Sequence, residues 1–355
     1  MGTAADHRRR GTGSARAAPA TRPGGGPALD PRLQRLLELQ RDAGNTAVVQ
    51  MLGEDEGTSG PEPGTAPTEE AEDPAVVETA RAIFDVGAKS YEAGAYARAY
   101  DEFSRSFEMV GRPGIGFSMA QALRRLGGRR EEAIALYQAY LDSGETRRAE
   151  ECRQFIAELS TPASTGDLEL DTKAGKAIFE KGAHLYEVRD YAHAYDEFTR
   201  SYELTGRPQL LFSRAQALRR LGGRREEAIA LYQAYLQKGD GNRTADANTA
   251  ISELSTPAST GDLETDTATG RAIFNQGAAL YDRGDFAHAY DEFTRSYELT
   301  GRPALLFSRA QSLRRLGGRR EEAIALYEAY IAEGDGGRDE ESQGFIDELS
   351  TPSTE

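Results

Sequence analysis

The chain has 355 residues, a formal net charge of -15, one cysteine, no tryptophan and 28% charged residues. That length suits two or three domains, and a lone cysteine excludes an intrachain disulfide framework. No stretch approaches the roughly 18 consecutive apolar residues of a membrane span, so a soluble protein made in the cytoplasm is expected.

Charge is spread unevenly. Residues 1–50 carry eight Arg against four acids, whereas residues 54–73 carry eight acids and no base. The acidity therefore belongs mostly to one segment. Residues 1–28 lack periodicity and read as a disordered arm. Arg8, Arg9 and Arg10 are followed by no apolar run, so no secretory or twin-arginine signal is read there. Residues 29–53 form a patterned island. Asp30 and Pro31 suit a helix start, and Leu33, Leu36, Leu37 and Gln40 share one face. Gly44-Asn45 breaks that helix, and Thr46 can start a second with Val48, Val49 and Leu52. So few residues cannot bury enough surface to fold alone. Residues 54–73 read as an acidic, self-repelling linker.

The rest is repetitive. The stretch GRPQLLFSRAQALRRLGGRREEAIALYQAYL, Gly206 to Leu236, recurs nearly unchanged at Gly301 to Ile331 and more loosely at Gly111 to Leu141, always 95 residues apart. Inside that unit, Ala99 and Ala133, Ala194 and Ala228, and Ala289 and Ala323 are each 34 residues apart. Three modules are expected, at 74–160, 173–255 and 268–350, with linkers 161–172 and 256–267 and a tail 351–355. In the first, helices are expected over 75–93, 95–110, 113–127, 129–143 and 146–159. The fifth, with the stripe Ala149, Cys152, Ile156 and Leu159, would cap the exposed face of the second hairpin. The linkers contain STPASTGDLE and read as semi-flexible joints. Independently moving modules are favoured over one continuous superhelix, with an extended particle of several conformers expected in solution scattering.

Thirty-four residues is the length of a tetratricopeptide helix hairpin. Gly182, Tyr191, Ala194, Phe198 and Pro208 follow that family's order of small and large residues. The chain resembles the tetratricopeptide repeat family over about residues 75–350. The resemblance implies an all-α solenoid of helix hairpins: three 95-residue modules of two hairpins plus an extra helix. It also implies a noncatalytic scaffold that binds protein or peptide partners in a concave groove lined by the first helix of each hairpin.

By family position, that groove is lined in the middle module by Lys176, Phe179, Ala183 and Tyr186, then Leu210, Ser213, Ala217 and Arg220. Equivalents are Arg81, Phe84, Tyr91 and Arg125 in the first module, and Arg271, Phe274, Tyr281, Ser308 and Arg315 in the third. An aromatic floor with a base at each end suits an acidic peptide. Ala183 and Ala217 stand where the family's carboxylate-clamping asparagines would be.

A second resemblance lies in the island. Leu39, Gln40, Arg41, Ala43, Gly44, Asn45, Ala47, Val48 and Leu52 resemble LQRxAGNxAVxxLL, with Met51 departing from it. This short motif occurs in proteins encoded near bacterial extracellular contractile injection systems. It implies a docking element, an injection particle as partner, and loading of the chain into it. Without that link the chain reads as a generic cytoplasmic adaptor.

Catalytic chemistry is not expected. Cys152 aligns with Ala247 and Ser342, His184 with Lys89 and Ala279, and His193 and His288 with Arg98. No His, Cys and carboxylate cluster has metal-ligand spacing. GGRRE lacks the Lys-Ser/Thr of a phosphate loop. No enzyme, metal or cofactor is therefore read. Arg219, Arg220, Arg224 and Arg225 read as helix-end charge on a solvated face, balanced by Glu226 and Glu227, with a recognition surface as the alternative. No stacking aromatics interleave with them, so nucleic acid is not expected.

Overall fold

The structure is a computed structural model and describes residues 73–334 and 336–350. Its described residues form fifteen helices in three modules. The first module holds α1 (Pro74–Glu92), α2 (Tyr96–Val110), α3 (Pro113–Leu126), α4 (Arg130–Asp142) and α5 (Ala149–Leu159). The second holds α6 (Leu168–Glu187), α7 (Tyr191–Thr205), α8 (Gln209–Leu221), α9 (Arg225–Lys238) and α10 (Thr244–Leu254). The third holds α11 (Leu263–Asp282), α12 (Phe286–Thr300), α13 (Ala304–Leu316), α14 (Arg320–Glu333) and α15 (Asp339–Ser350). This is the all-α solenoid of two hairpins plus an extra helix that the periods imply. The motif at Leu39–Leu52 lies outside the described residues.

Local chemistry sets the hairpins. Gly206 closes α7 in a left-handed conformation, and Pro208 caps the start of α8. Gly182 lets α6 and α7 approach: a Cβ there would stand 2.8 Å from the Phe198 ring. Ala194 and Ala228 are fully buried, leaving backbones rather than side chains at the crossings. Gly182→Val should therefore overpack this contact and destabilise by about 1–3 kcal/mol. The measurement is the denaturant midpoint at constant m-value; an unchanged midpoint would mean a looser hairpin than described.

The fifth helices do cap the hairpins. Phe155, Ile156 and Leu159 of α5 pack on the first module's core. Cys152, Ala247 and Ser342 are all fully buried at the same position, as a packing residue should be.

The solenoid does not run open. The turn after α3 carries Gly127 and Gly128, both with φ near +74°, at 72° and 76°. This turn presses against the start of α7 in the next module. A Cβ on Gly127 would stand 3.0 Å from the backbone nitrogen of His193. Gly128 N–H donates to Asp196 at 2.8 Å. Gly223 repeats this toward Asp291 at 2.8 Å. Gly318, in the third module, donates to Asp101 of the first at 2.7 Å. A head-to-tail interface that closes after three steps is a rotation of one third of a turn. The chain is thus a closed ring of three modules about a pseudo-threefold axis.

The linkers are not joints. The Arg200 guanidinium donates to the Ser160 carbonyl at 3.0 Å, and Arg130 to Thr161 at 3.1 Å. Ser164 and Thr165 both donate to the Asp171 carboxylate, and Asp167 caps α6 by accepting from Glu169 N–H at 2.8 Å. Arg225 holds Thr256 at 3.1 Å in the second linker. The expectation of independently moving modules is corrected on this ground, and solution scattering should show one compact profile. The Ser/Thr/Gly/Asp composition that suggested mobility is equally the chemistry of helix caps.

Candidate functional site

Two sets of polar residues repeat threefold on the ring, and they do different work. The first set is the predicted groove. Phe84, Phe179 and Phe274 are half-buried, with rings 5.0, 5.4 and 5.4 Å from Phe103, Phe198 and Phe293. They are drawn into the hairpin cores. Tyr91, Tyr186 and Tyr281 are half-buried and lie edge-on to Tyr96, Tyr191 and Phe286, at 5.2, 5.1 and 5.0 Å. Arg125, Arg220 and Arg315 are exposed, as are Arg81, Lys176 and Arg271. Arg125 lies beside the Tyr91 hydroxyl and Arg220 beside that of Tyr186, whereas Arg315 lies 5.8 Å from the Phe286 ring centre. Ser213 and Ser308 are half-buried. The fold thus brings together the tyrosine of the first helix and the arginine of the third in the first two modules, and in the third module it sets Arg315 by Phe286 instead. It does not leave the phenylalanines free as a groove floor. Tyr186 also packs on the core cluster around Ala194 and Phe198, so its ring is part structural.

The second set is the GGRRE turn. It does not form a solvated face. Arg129 lies over the Tyr100 ring at 4.4 Å, Arg224 over Tyr195 at 4.7 Å and Arg319 over Tyr290 at 4.7 Å. Each then reaches the glycine carbonyl of the preceding module. Arg224 donates to Gly128, Arg319 to Gly223 and Arg129 to Gly318, all at 2.9 Å. The next arginine is buried and crosses the other way. Arg130 pairs with Glu203 at 2.7 Å, Arg225 with Glu298 at 2.6 Å and Arg320 with Glu108 at 2.6 Å. These arginines are the clasps of the ring, which corrects the reading of a solvated face for Arg224 and Arg225; Arg219 and Arg220 do stand at the end of α8, half-buried and exposed.

Titratable groups gather at the same junctions. Burial pushes the Asp101 and Asp196 carboxyls up to about 6 and that of Asp291 to about 7, against the lowering effect of the glycine N–H each accepts. His193 has Nδ1 2.8 Å from Asp190 and Nε2 3.1 Å from the Arg124 carbonyl across the junction. His288 repeats this with Asp285 and Arg219, at 2.8 and 3.2 Å. Both ring nitrogens face acceptors, an arrangement that only the doubly protonated ring satisfies. Burial works against that charge, but the acceptors outweigh it and hold both histidines above the ordinary imidazole pKa.

Between the first and second modules lies a cavity of about 260 Å³. Arg124 and Arg125 line it from α3, Lys181 from α6, and His193 and Arg200 from α7. Glu158 and Glu197 face them, and Tyr96 and Leu159 supply apolar wall. Arg125, named for the groove, is therefore also a wall of this junction. Among the described residues, no three His, Cys, Asp or Glu could hold a metal ion, and no helix is long and apolar enough to cross a membrane.

No protein-family model matches the chain, and no curated protein sequence matches it significantly. Among solved structures it is similar to the TPR2AB domain of yeast Sti1, solved as a pHSP90 complex. That match has 16% identity and a TM-score of 0.20, and covers 77% of this chain and 97% of that one. It is also similar to the TPR domain of P58(IPK), with 14% identity and a TM-score of 0.23, covering 76% and 97%.

Proposed function

We propose that this protein is a noncatalytic scaffold that binds an acidic peptide or protein segment on its tyrosine–arginine rows. The observation that carries the reading is the threefold recurrence of an exposed arginine beside a half-buried aromatic residue of a neighbouring helix. Aromatic and Arg anchors of this kind dominate binding surfaces. Modules 191–236 and 286–331 differ at five of 46 positions, so two of the sites are almost the same and favour avid binding.

The test is a peptide selected by display on the whole chain and titrated against variants. Tyr186→Phe with Arg220→Ala keeps the ring that packs on the core and removes both polar groups. Affinity for that module should fall by about 2 kcal/mol, roughly thirtyfold, with more loss of wild-type binding at high salt. Equal affinity in the double variant would remove the groove as the site.

The delivery reading rests on a separate feature, the match of Leu39–Val48 and Leu52 to the injection-system motif. Under it, the chain is a cargo or accessory that docks to the particle by residues 29–53. Deleting residues 1–53 should abolish copurification with such particles and leave the melting of the ring unchanged. Copurification that survives the deletion would refute it.

A further inference from the structure

We infer that the cavity between the first and second modules is a binding site for a small phosphate monoester, with the phosphate on Lys181, Arg124 and Arg125 and the organic part against Tyr96 and Leu159. The site lies at a junction of the ring and shares Arg125 with the first module's row, whereas Lys181 and Arg124 belong to the junction alone.

Arg124, Arg125, Lys181 and Arg200 bring four cations to the cavity, and Glu158, Asp196 and Glu197 bring three carboxylates; Arg200 is already engaged by Glu197 and the Ser160 carbonyl, and Asp196 accepts the Gly128 N–H. The remaining arginine there, Arg130, is already engaged by Glu203 and Glu131. The surplus cations also have unspent donors. Arg124 meets Glu158 only at 3.7 Å, beyond hydrogen-bond length, and donates from Nη2 to the Gln121 side-chain oxygen at 3.2 Å. Lys181 makes one bond, to Glu197 at 2.7 Å, and its side chain stays 60% exposed. Three cations converging with donors to spare are suited to a doubly charged oxyanion. A volume near 260 Å³ is at the small end for ligand sites, so the ligand is a small molecule.

The other two junctions supply internal controls. Where the first junction has Lys181, the second has Gln276 and the third Val86. Arg219 is in direct ion-pair contact with Glu253, and Arg314 with Glu348 at 3.1 Å. In those junctions the arginine is spent on its glutamate and the extra cation is missing. The first junction differs in both respects, and in the direction that favours an anion. A ligand held there touches α3 of one module and α6 of the next, so binding must strengthen that junction.

The experiment uses the full chain in phosphate-free buffer at constant ionic strength. Calorimetric titration and melting are followed with phenyl phosphate, inorganic phosphate, phenol and sodium chloride. The expected result is one phenyl phosphate per chain, a raised melting temperature, weaker binding of inorganic phosphate, and no effect of phenol or chloride. Lys181→Gln installs the residue that the second junction already carries, so the fold accommodates it; affinity should drop at least tenfold. Arg125→Gln, on the exposed rim, should also weaken binding. Gln276→Lys should raise the stoichiometry toward two. Phosphate and phenyl phosphate acting no differently from chloride would overturn the proposal, as would Lys181→Gln and Arg125→Gln variants that bind like the wild type. Inorganic phosphate binding as tightly as the ester would overturn the assignment of Tyr96 and Leu159 to an organic part.

Discussion

Reversing two acids at the closing junction, Asp101→Arg with Glu108→Arg, is expected to open the ring while leaving the modules folded. Asp101 accepts the Gly318 N–H, and Glu108 pairs with Arg320, which is only 9% exposed. The double variant replaces both acceptors by cations beside a buried arginine. Breaking one partner of a buried pair costs about 3–5 kcal/mol; Glu108 is partly exposed, so the lower end applies to it alone. The first-to-second and second-to-third junctions are untouched and remain covalently tethered. The third has no tether to the first, so it should be the one that separates. Scattering should change from a compact to an extended profile at unchanged helicity. Glu108→Arg alone should give a partial change, and Arg320→Glu added to it should restore closure by exchanging the charges. An unchanged scattering profile in the double variant would mean that these bonds do not hold the ring.

The second large effect is a loss of stability as pH rises. Asp101, Asp196 and Asp291 have folded pKa values of about 6, 6 and 7, above the ordinary aspartate range. A carboxyl raised in the folded state binds more protons there than in the unfolded chain between the two pKa values. Stability therefore falls as pH climbs through that window, from about 4 to about 7. His193 and His288 are also raised, so their contribution is present in acid and is lost as pH passes their folded values. The two kinds of group act in the same direction at the same junctions. Asp171 and Asp266 are lowered by their Ser and Thr donors and act the opposite way, but only as pH falls through the ordinary aspartate range. Melting temperature should thus decline from pH 5 to pH 8. The variant Asp101→Asn, Asp196→Asn, Asp291→Asn keeps an oxygen to accept each glycine N–H and removes the titration. Its profile should be distinctly flatter over that range. A wild-type melting temperature that rises from pH 5 to pH 8 would contradict the burial of these carboxyls.

The hairpins were legible in the sequence because their signals are local and periodic. Gly182, Ala194 and Phe198 recur at fixed spacing, and each meets neighbours within its own module. Closure was not legible, because its bonds join residues without short-range pattern. Gly128 and Asp196 are 68 positions apart, and Arg320 and Glu108 are 212 apart. Beside Glu131 and Glu132, Arg129 and Arg130 look like ordinary balanced helix-start charge. One sign was present nonetheless. GGRRE and the aspartate of AYDEF are the same in all three modules, while the cavity position held by Lys181, Gln276 and Val86 varies. Sameness among repeats at polar, non-core positions marks the places where repeats meet one another. Of the groove, the pairing of Tyr186 with Arg220 followed from family positions. The capture of Phe179 by Phe198 did not, because it depends on how deep α6 sinks against α7.

Closure also counts. Each module presents a Gly-Gly turn on one side and an Asp-bearing helix start on the other, and the turn between them returns to its origin after three copies. Recombination between stretches as alike as 191–236 and 286–331 would readily yield genes with two or four copies. Such products would fold each hairpin correctly and still leave one turn and one helix start unmatched. Those ends would find each other between molecules, as open head-to-tail chains. The number of modules that closes the ring is therefore set by an angle in the protein, and a length variant would announce itself as an assembly rather than as a misfold.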